Sequence, residues 1–439
     1  MALILAVNAG SSSLKISLYR PTDNRDQPVD LVLTSSITNI SSPPATFKFD
    51  GHKEEVPADE VKDHASAFAC FLRRLKTLRG HDPTDIRHIC HRVVHGGDFT
   101  TRLPVDRSAY HRIHGLSDLA PLHNGAALAV IEACLEKIQH AQSIAYFDSA
   151  FHRTIPSHIQ AYAIDQTVAA KRGLKKYGFH GLSYAFILRS VASFLQRPQD
   201  TLNLIVLHLG SGASICAIRN GRSLDTSMGL TPLSGLPGAT RSGDVDPSLI
   251  FHYTNKAGRM THDPSLATDL RITAAEDILN RRSGWQSLAG TTDFGLICSR
   301  ADPHAPPPSS PGPTTDPNAA DPRCTLAFHL VVDRILDFVG AYHLKLGCAV
   351  DALVFSGGIG EKSALLRGVV GERVGCLGYV KVDEGRNERA GEEVERAVVV
   401  DIGVQAQGER AKRILVCQTD EQVEMARGCA LDEEFRVKD

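Results

Sequence analysis

Residues 204–247 constrain what this chain can fold into more than any other stretch of its sequence. An apolar run at 204–207 leads into His208 and a turn of small residues, and a second apolar run covers 213–218. The pair Asn220-Gly221 follows directly. Asn-Gly between apolar runs predicts a tight β-hairpin, because a type I′ turn needs positive φ at both central residues.

The second half of this stretch, residues 225–246, is dense in Gly, Ser, Thr, Asp and Pro and carries Arg241. A segment this polar cannot build a hydrophobic core. Long loops of this composition lie at the surface and are often functional. Two turns rich in small residues with an arginine nearby indicate a phosphoryl-binding site.

Composition limits the classes of protein that remain. A chain of 439 residues predicts two domains. With 48 basic and 50 acidic residues, its charge favours neither nucleic acid nor a membrane surface as a partner. The first apolar run has no basic flank and stops at Asn8, so it predicts a strand and not a signal peptide. Ten scattered cysteines without a CxxC pair are typical of reduced thiols in a cytoplasmic protein.

The N-terminal segment predicts a second hairpin. Residues 3–7 form an apolar strand, 8–13 a turn rich in hydroxyl groups, and 14–19 alternate between apolar and polar. The tip of such a hairpin can bind phosphate through backbone N–H groups, and Asn8 or the serines can reach a metal ion. A plain tight turn is the alternative, with about equal weight.

Other candidate residues follow predicted strands. Arg92 lies on an apolar strand, where an arginine needs an anionic partner or a position at a cleft. Asp148 ends the strand 144–147, a common ligand position in α/β sheets, although an Asp there is as often a helix N-cap. The strand 352–355 leads through a glycine-rich turn, 356–362, to a helix starting near 363, which predicts a nucleotide phosphate site without a Walker A sequence.

Several further segments have a clear pattern. Residues 64–78 and 328–346 show helical spacing of apolar residues, and a helix at 125–136 follows a break at 120–124. Residues 288–295 are expected to be a loop. The proline-rich stretch 301–322 is expected to be an exposed, mobile insertion.

Ten segments, taken in chain order, resemble the acetate kinase family. They are VNAGSSSLK (7–15), HRVVHGG (91–97), APLHN (120–124), FDSAFH (147–152), YGFHGLS (177–183), HLGSGAS (208–214), DTSMGLTPL (225–233), TRSGDVDP (240–247), GGIGE (357–361) and TDEQ (419–422). The resemblance implies a two-lobed α/β fold of the actin and sugar-kinase type, with duplicated ribonuclease H-like domains and a central cleft. It implies an N-terminal lobe of residues 1–151 plus about 419–439, and a C-terminal lobe of residues 152–418 with the nucleotide side and the dimer contact.

The same resemblance implies an activity. Members of the family transfer a phosphoryl group reversibly and in line between ATP and acetate, giving acetyl phosphate and ADP. They require Mg²⁺, for which Mn²⁺ can substitute. The resemblance also implies a cytoplasmic homodimer whose pathway partner is a phosphotransacetylase or a phosphoketolase, with no nucleic acid or membrane partner.

Matching positions give the expected site residues. Arg92 and Arg241 would bind the carboxylate and the transferring group, Asp148 would align the substrate, and His180 would stabilise the transition state. The apolar pocket for the acetate methyl group would be formed by Val94, Leu122, Phe179 and Pro232. Metal binding would fall to Asn8 and Glu421. Phosphate and nucleotide positions would be Ser11, Ser13, Lys15, His123, His208, Leu209, Gly210, Ser211, Gly212, Asp293, Phe294, Gly295, Gly358, Ile359, Gly360, Glu361 and Lys362.

Four positions depart from the family's pattern. Ser211 and Lys362 stand where the family has Asn, Gly295 stands where it has Arg, and Ala239 stands where it has Gly. These changes concern the phosphate donor more than the acyl side. A diphosphate-linked acetate kinase and a propionate or butyrate kinase are therefore alternatives. A non-catalytic nucleotide-binding relative is disfavoured, because the four expected catalytic side chains are all present.

Overall fold

The computed structural model describes residues 2–40, 44–116, 121–253, 260–261, 272–306, 312, 319–404 and 411–435. Its described residues form two compact units. Unit 1 contains the described residues within 2–150 and 420–435, and unit 2 contains those within 151–261 and 272–419. No helix among these residues is long and apolar enough to cross a membrane.

Unit 1 is built on an eight-stranded sheet. Its strands are β1 (Leu3–Ala9), β2 (Ser13–Pro21), β3 (Val29–Thr38), β4 (Ala45–Phe49), β5 (His52–Val56), β6 (Ile86–Val93), β7 (Leu103–Pro104) and β8 (Gln142–Phe147). The strand order is β5-β4-β3-β2-β1-β6-β8-β7, in which β1, β6 and β8 run parallel. Helices α1 (His64–Arg79), α2 (Arg107–Gly115) and α3 (Pro121–Lys137) and a C-terminal helix, Glu421–Leu431, complete the unit.

Alternation along the strands explains how unit 1 packs. Leu5 and Val7 of β1 lie in one core cluster with Phe68 and Phe71 of α1. Ala6, between them, meets the C-terminal helix, where the Gln422 side-chain amide donates to its carbonyl oxygen at 3.2 Å. The two faces of β1 are therefore covered by helices from distant parts of the sequence.

Unit 2 is built on a six-stranded sheet and a small two-stranded one. Its strands are β9 (Leu204–His208), β10 (Ser214–Arg219), β11 (Arg222–Thr226), β12 (Met260–Thr261), β13 (Ile272–Thr273), β14 (Ala352–Ser356), β15 (Val399–Asp401) and β16 (Arg413–Cys417). Its helices are α4 (Ser157–Gln160), α5 (Gln166–Arg172), α6 (Gly181–Leu195), α7 (Leu249–Tyr253), α8 (Ala274–Arg281), α9 (Gly284–Ala289), α10 (Phe294–Arg300), α11 (Pro322–Lys345), α12 (Gly357–Lys362), α13 (Ala364–Arg373) and α14 (Glu384–Ala397).

The two large sheets share one topology. In unit 2 the strand order is β11-β10-β9-β14-β16-β15, with β9, β14 and β16 parallel. Unit 1 contains the same arrangement in β3-β2-β1-β6-β8. Its strands β3, β2 and β1 are antiparallel to their neighbours, and β6 and β8 run parallel to β1. The predicted α/β class with duplicated domains is confirmed by this repetition.

Helices cover both faces of the unit 2 sheet. Leu204 and Val206 of β9 pack in a cluster with residues of α6, whereas Ile205 and Leu207 pack in another with residues of α11. Fully buried strands of this kind read as continuous apolar runs. This is why 204–207 lacks the alternation of a half-exposed strand.

The local predictions had mixed outcomes. The hairpin at Asn220-Gly221 is confirmed, since both residues have positive φ, 49° and 69°. Three boundaries were wrong. The helix expected from 125 begins at Pro121, a residue type favoured at the first helical position. Residues 357–362, expected to be a turn, form α12. Residues 288–295, expected to be a loop, contain the end of α9 and the start of α10.

The proline-rich stretch 301–322 is described only in part. Residues 307–311 and 313–318 lie outside the described residues. Its last residues belong to the fold, because Pro322 begins α11 and Asp321 caps that helix. The buried Asp321 carboxylate also lies 3.0 Å from an Arg323 nitrogen and 3.5 Å from one of Arg300. The predicted insertion was therefore too long at this end.

Candidate active site

Four of the expected site residues of unit 1 meet around the Arg92 guanidinium. Arg92 Nη2 donates to Asp148 Oδ2 at 2.7 Å, and Nε donates to Oδ1 and Oδ2 of the same carboxylate at 3.2 and 3.1 Å. On the other side, Arg92 Nη1 lies 3.2 Å from Asn8 Oδ1 and 3.7 Å from Glu421 Oε1. Asp148 is the anionic partner that the sequence required for Arg92.

This pair is held away from solvent. The Asp148 side chain is fully buried and that of Arg92 is 15% exposed. Burial alone would lower the pKa of Arg92, but the carboxylates of Asp148 and Glu421 outweigh burial and raise it. The guanidinium is therefore permanently charged, and its planar fork has one orientation.

The same cluster offers oxygen ligands for a divalent cation. Asn8 Oδ1 and the Glu421 carboxylate both approach Arg92 Nη1, so they lie near one another. Among the described residues, no group of three or more His, Cys, Asp or Glu side chains could hold a metal ion by itself. Mg²⁺ typically binds through one or two protein oxygens plus water and substrate phosphates. The donor set fits that mode.

A histidine that the sequence did not single out anchors the turn after β1. His64, the first residue of α1, makes a hydrogen bond of 2.7 Å from Nε2 to the Gly10 carbonyl oxygen. Burial lowers the pKa of His64. The turn itself is closed by Gly10 N donating to Ser13 O at 2.8 Å. Ser11 and Lys15, two expected phosphate ligands, are exposed.

The loop after β6 is fixed by Asn124, which sequence reasoning also missed. Its side-chain amide is fully buried, accepts from His95 N and donates to His95 O, both at 3.0 Å. Val94, expected in the acyl pocket, directly precedes His95 and is half-buried. The side chains of Leu122 and His123 lie outside the described residues, although their backbone belongs to the first turn of α3.

In unit 2 the expected histidines stack on each other. The rings of His180 and His208 are 4.1 Å apart between centroids and inclined by 24°. His180 precedes α6 with a left-handed φ of 59°, which is uncommon for a residue other than glycine. Its Nδ1 lies 2.8 Å from Ser214 Oγ, and His208 Nδ1 lies 2.7 Å from Ser183 Oγ. The hairpin register pairs His208 with Ser214 across β9 and β10.

Arg241 carries a positive charge without a carboxylate partner among the residues that the structure describes. Its Nη1 donates to Pro232 O at 3.1 Å, and its guanidinium lies where a side chain at Gly212 would collide with it. Burial lowers the pKa of Arg241. Arg241 is half-buried, and arginines withdrawn from water are normally paired with an anion. The arrangement therefore suits an anionic ligand.

Two glycine-rich segments of unit 2 also meet. Leu209 O accepts from Ile359 N at 2.8 Å and from Gly360 N at 3.2 Å. Gly357 has a φ of 75°, and a Cβ there would lie only 2.7 Å from Leu209 O. Glu361 Oε1 accepts from Gly357 N at 3.0 Å and from Thr419 N at 3.2 Å, so this carboxylate stabilises the segment itself. The structure thus brings together the segments 209–212 and 357–361.

The positions expected near adenosine have other roles in the fold. Asp293 caps α10, and the buried Phe294 ring packs edge-on against Trp285 at 5.2 Å between centroids. Phe294 is therefore a core residue, and its expected place beside the nucleotide stays a prediction. Ala239 also lies in the core, whereas Gly295 is exposed, as are two of the other departures from the family's pattern, Ser211 and Lys362.

A further histidine, His152, supports the backbone next to His180. The His152 ring is buried, with Nε2 2.9 Å from Phe179 O and Nδ1 2.8 Å from Ser223 Oγ. Gly178 has a φ of 77°, and a Cβ there would collide with this ring. His152 closes the segment FDSAFH, but nothing local in the sequence indicates that its partners come from 179 and 223.

His152 gives unit 2 an acid-sensitive stability. Burial lowers the pKa of His152 to about 4, so only the unfolded chain binds this proton between about pH 6.5 and 4. We expect this contribution to be complete above about pH 6.5 and to fall by roughly 3 kcal/mol as the pH drops to about 4. His152→Gln keeps both hydrogen-bonding functions without titrating. Denaturant unfolding of the two proteins across this pH range measures the difference.

Wild type and His152→Gln must be compared with each other, because His91 in unit 1 also makes the free energy of unfolding depend on pH. Burial lowers the pKa of His91 to about 3, and its effect is common to wild type and variant. The variant should become the relatively more stable protein as the pH falls. Parallel pH profiles for wild type and His152→Gln would contradict the assignment.

Comparisons with known proteins identify the family of this chain. A sequence model of the Acetokinase family matches residues 3–427. The chain belongs to the acetokinase family. A relative from Emericella nidulans named probable acetate kinase is 46% identical over 435 residues, covering 97% of both chains. A solved propionate kinase from Francisella tularensis has a TM-score of 0.79 at 30% identity, covering 97% of this chain and 98% of its own. A solved acetate kinase from Porphyromonas gingivalis has a TM-score of 0.77 at 28% identity, and the match covers 98% of each chain.

Proposed function

We propose that this protein is an acetate kinase, which transfers a phosphoryl group in line and reversibly between ATP and acetate to give acetyl phosphate and ADP. The observation that carries the proposal is the half-buried Arg241 guanidinium, which has no carboxylate partner among the described residues, in the unit that holds the stacked His180 and His208. Membership of the acetokinase family supports the choice of acetate as the acceptor.

The residues of unit 1 bind and orient acetate. A carboxylate is already ionised at neutral pH, so the nucleophile needs no general base. Asp148 therefore acts by holding Arg92 through three hydrogen bonds. Arg92 Nη1 donates one N–H to Asn8 Oδ1 and has a second N–H for the acetate carboxylate. Together with Asp148, this second N–H fixes the acyl oxygen for attack.

The residues of unit 2 bind the transferring group. Phosphoryl transfer places charge on three equatorial oxygens, and catalysis consists mainly of positioning and of compensating that charge. Arg241 supplies a guanidinium fork, and the two histidines supply N–H donors. The segments 209–212 and 357–361 supply backbone N–H groups for the nucleotide phosphates.

Asn8 and Glu421 would hold Mg²⁺, with Mn²⁺ as a substitute, and the ion would neutralise phosphate charge. The proposal includes a homodimer formed through unit 2, a cytoplasmic location, and a pathway partner that makes or consumes acetyl phosphate. It also includes ATP and ADP, not diphosphate and phosphate, as the donor pair. Membership of the acetokinase family supports these statements.

The proposal predicts a preference among carboxylic acids. With MgATP and hydroxylamine trapping of the acyl phosphate, kcat/KM should fall from acetate to propionate to butyrate. Each additional methylene should cost about tenfold or more, since one methylene in an apolar pocket is worth about 1–3 kcal/mol. Val94→Ala should raise the relative activity with propionate and butyrate.

A propionate kinase is the second candidate, because one solved relative is described as such. The assay separates the two. Butyrate or propionate reacting faster than acetate in the unmodified enzyme would contradict the proposal on substrate. An unchanged preference in Val94→Ala would remove that residue from the acyl pocket.

A further inference from the structure

Each of the two stacked histidines of unit 2 contacts one serine hydroxyl, which in turn contacts a second hydroxyl group. Ser214 Oγ lies 2.8 Å from His180 Nδ1 and 2.5 Å from the Tyr184 hydroxyl oxygen. Ser214 and Tyr184 are both fully buried. The chain of contacts is therefore tyrosine, serine, imidazole, and its tyrosine and serine lie away from solvent.

The second histidine repeats this pattern with different residues. Ser183 Oγ lies 2.7 Å from His208 Nδ1 and 2.7 Å from Thr419 Oγ1. Ser183 is fully buried. Ser183 comes from α6 and Ser214 from β10, so two unrelated elements supply equivalent partners to the two rings. In both cases the nitrogen engaged is Nδ1.

We propose that Tyr184–Ser214 and Thr419–Ser183 are two hydroxyl relays that fix His180 and His208 as neutral imidazoles with the proton on Nε2. These four side chains are positioning residues. The inference rests on the proposed function for its purpose: two parallel rings then offer a matched pair of Nε2–H donors to the oxygens of the transferring phosphoryl group.

The direction of the relays follows from the proposed tautomer together with the number of protons available. A serine hydroxyl has one proton, so a serine that donates to Nδ1 must accept from its second neighbour. A phenol is a stronger acid than an aliphatic alcohol, which makes Tyr184 the donor to Ser214. Two imidazolium ions stacked at 4.1 Å would repel each other, which disfavours a state in which both rings are charged.

The tautomers can be read directly by two-bond ¹H–¹⁵N correlation spectra of the full-length enzyme labelled with [¹⁵N]histidine, without relying on activity. We expect His180 and His208 to show the pattern of a protonated Nε2 and an unprotonated Nδ1 near neutral pH. Ser214→Ala should change the pattern of His180 only, and Ser183→Ala that of His208 only. Spectra with the proton on Nδ1 in the wild type would overturn the proposal.

Kinetics of the same variants provide the second readout. Tyr184→Phe and Ser214→Ala should lower kcat about tenfold, the equivalent of one hydrogen bond, with little change in KM for acetate. Ser214→Thr keeps a hydroxyl and should recover most of the loss. Tyr342→Phe is the matched control, because its buried hydroxyl has no hydrogen-bond partner among the described residues. It should leave both readouts unchanged.

The two readouts separate failure of this inference from failure of the proposed function. An inactive wild type whose spectra show the expected tautomers would contradict the proposed function alone. An active wild type in which Tyr184→Phe and Ser214→Ala change neither tautomer nor kcat would contradict the relays alone.

Discussion

Arg241→Gln is expected to lower kcat about 10³-fold or more without lowering the melting temperature. An arginine that compensates charge in a phosphoryl-transfer transition state is worth about 10³–10⁵ in rate. Arg241 has the character of such a group: it is half-buried, it is charged, and it has no carboxylate partner among the described residues.

The unchanged melting temperature of Arg241→Gln is the less usual part of this prediction. Removing a buried arginine normally destabilises a protein, since it leaves a carboxylate unpaired. Removing Arg241 leaves no carboxylate unpaired within the described part of the chain. Burial already disfavours its charge, as the lowered pKa shows, and glutamine can still donate to Pro232 O. The positive charge of Arg241 therefore lowers the folding stability of the wild type, and an anionic ligand compensates this charge when it binds.

Steady-state kinetics and thermal unfolding of Arg241→Gln test both halves. Arg334→Gln is the matched control, because Arg334 lies on α11 of the same unit and pairs with Asp333 and Asp337 at the surface. It should change neither quantity. A variant at 241 that keeps more than about a third of the wild-type kcat would remove this arginine from the chemistry. A large drop in melting temperature would show that it is a structural residue.

Asp148→Ala is expected to give the opposite stability result together with a large loss of activity. The change removes the carboxylate nearest to the largely buried Arg92 guanidinium. It leaves Asn8 Oδ1 at 3.2 Å and Glu421 Oε1 at 3.7 Å as its neighbours among the described residues. Breaking a buried ion pair on one side costs about 3–5 kcal/mol in the free energy of unfolding. We expect a loss of that order, and a fall in kcat of about 10²-fold because the guanidinium is no longer held in place.

A double-mutant cycle separates the two effects. Arg92→Met combined with Asp148→Ala removes both charges, so its free energy of unfolding should recover most of the loss while kcat stays low. Asp148→Asn keeps an oxygen acceptor and should be intermediate in stability. Additive losses in the double variant would show that the two side chains do not act as a pair.

The sequence was informative where local rules decide the structure. Asn220-Gly221 predicted a hairpin because only a few residue types accept two successive positive φ values, and the structure has both. The apolar run at 204–207 predicted a buried strand, which the two covering helices confirm. The sequence predicted that Arg92 needs an anionic partner or a position at a cleft. Parallel pairing of β6 with β8 brings Asp148 next to Arg92 as that partner.

The remaining features depend on contacts between distant segments. Two successive glycines, 357 and 358, argue against a helix by propensity, but Leu209 O accepts hydrogen bonds from this segment and overrides that preference. Ser214 faces the histidine stack because of the β9–β10 register and the left-handed backbone at His180. No spacing in the sequence encodes which hydroxyl meets which ring.

The most direct test of the account supplies the enzyme with acetyl phosphate and Mg²⁺ and offers either ADP or inorganic phosphate as the acceptor. ATP is measured by a coupled enzymatic assay and diphosphate by ³¹P NMR, with Arg241→Gln as the control for both. The account predicts ATP formation with ADP, no diphosphate with phosphate, and neither product with the variant. Diphosphate formed from phosphate, with no ATP formed from ADP, would contradict it.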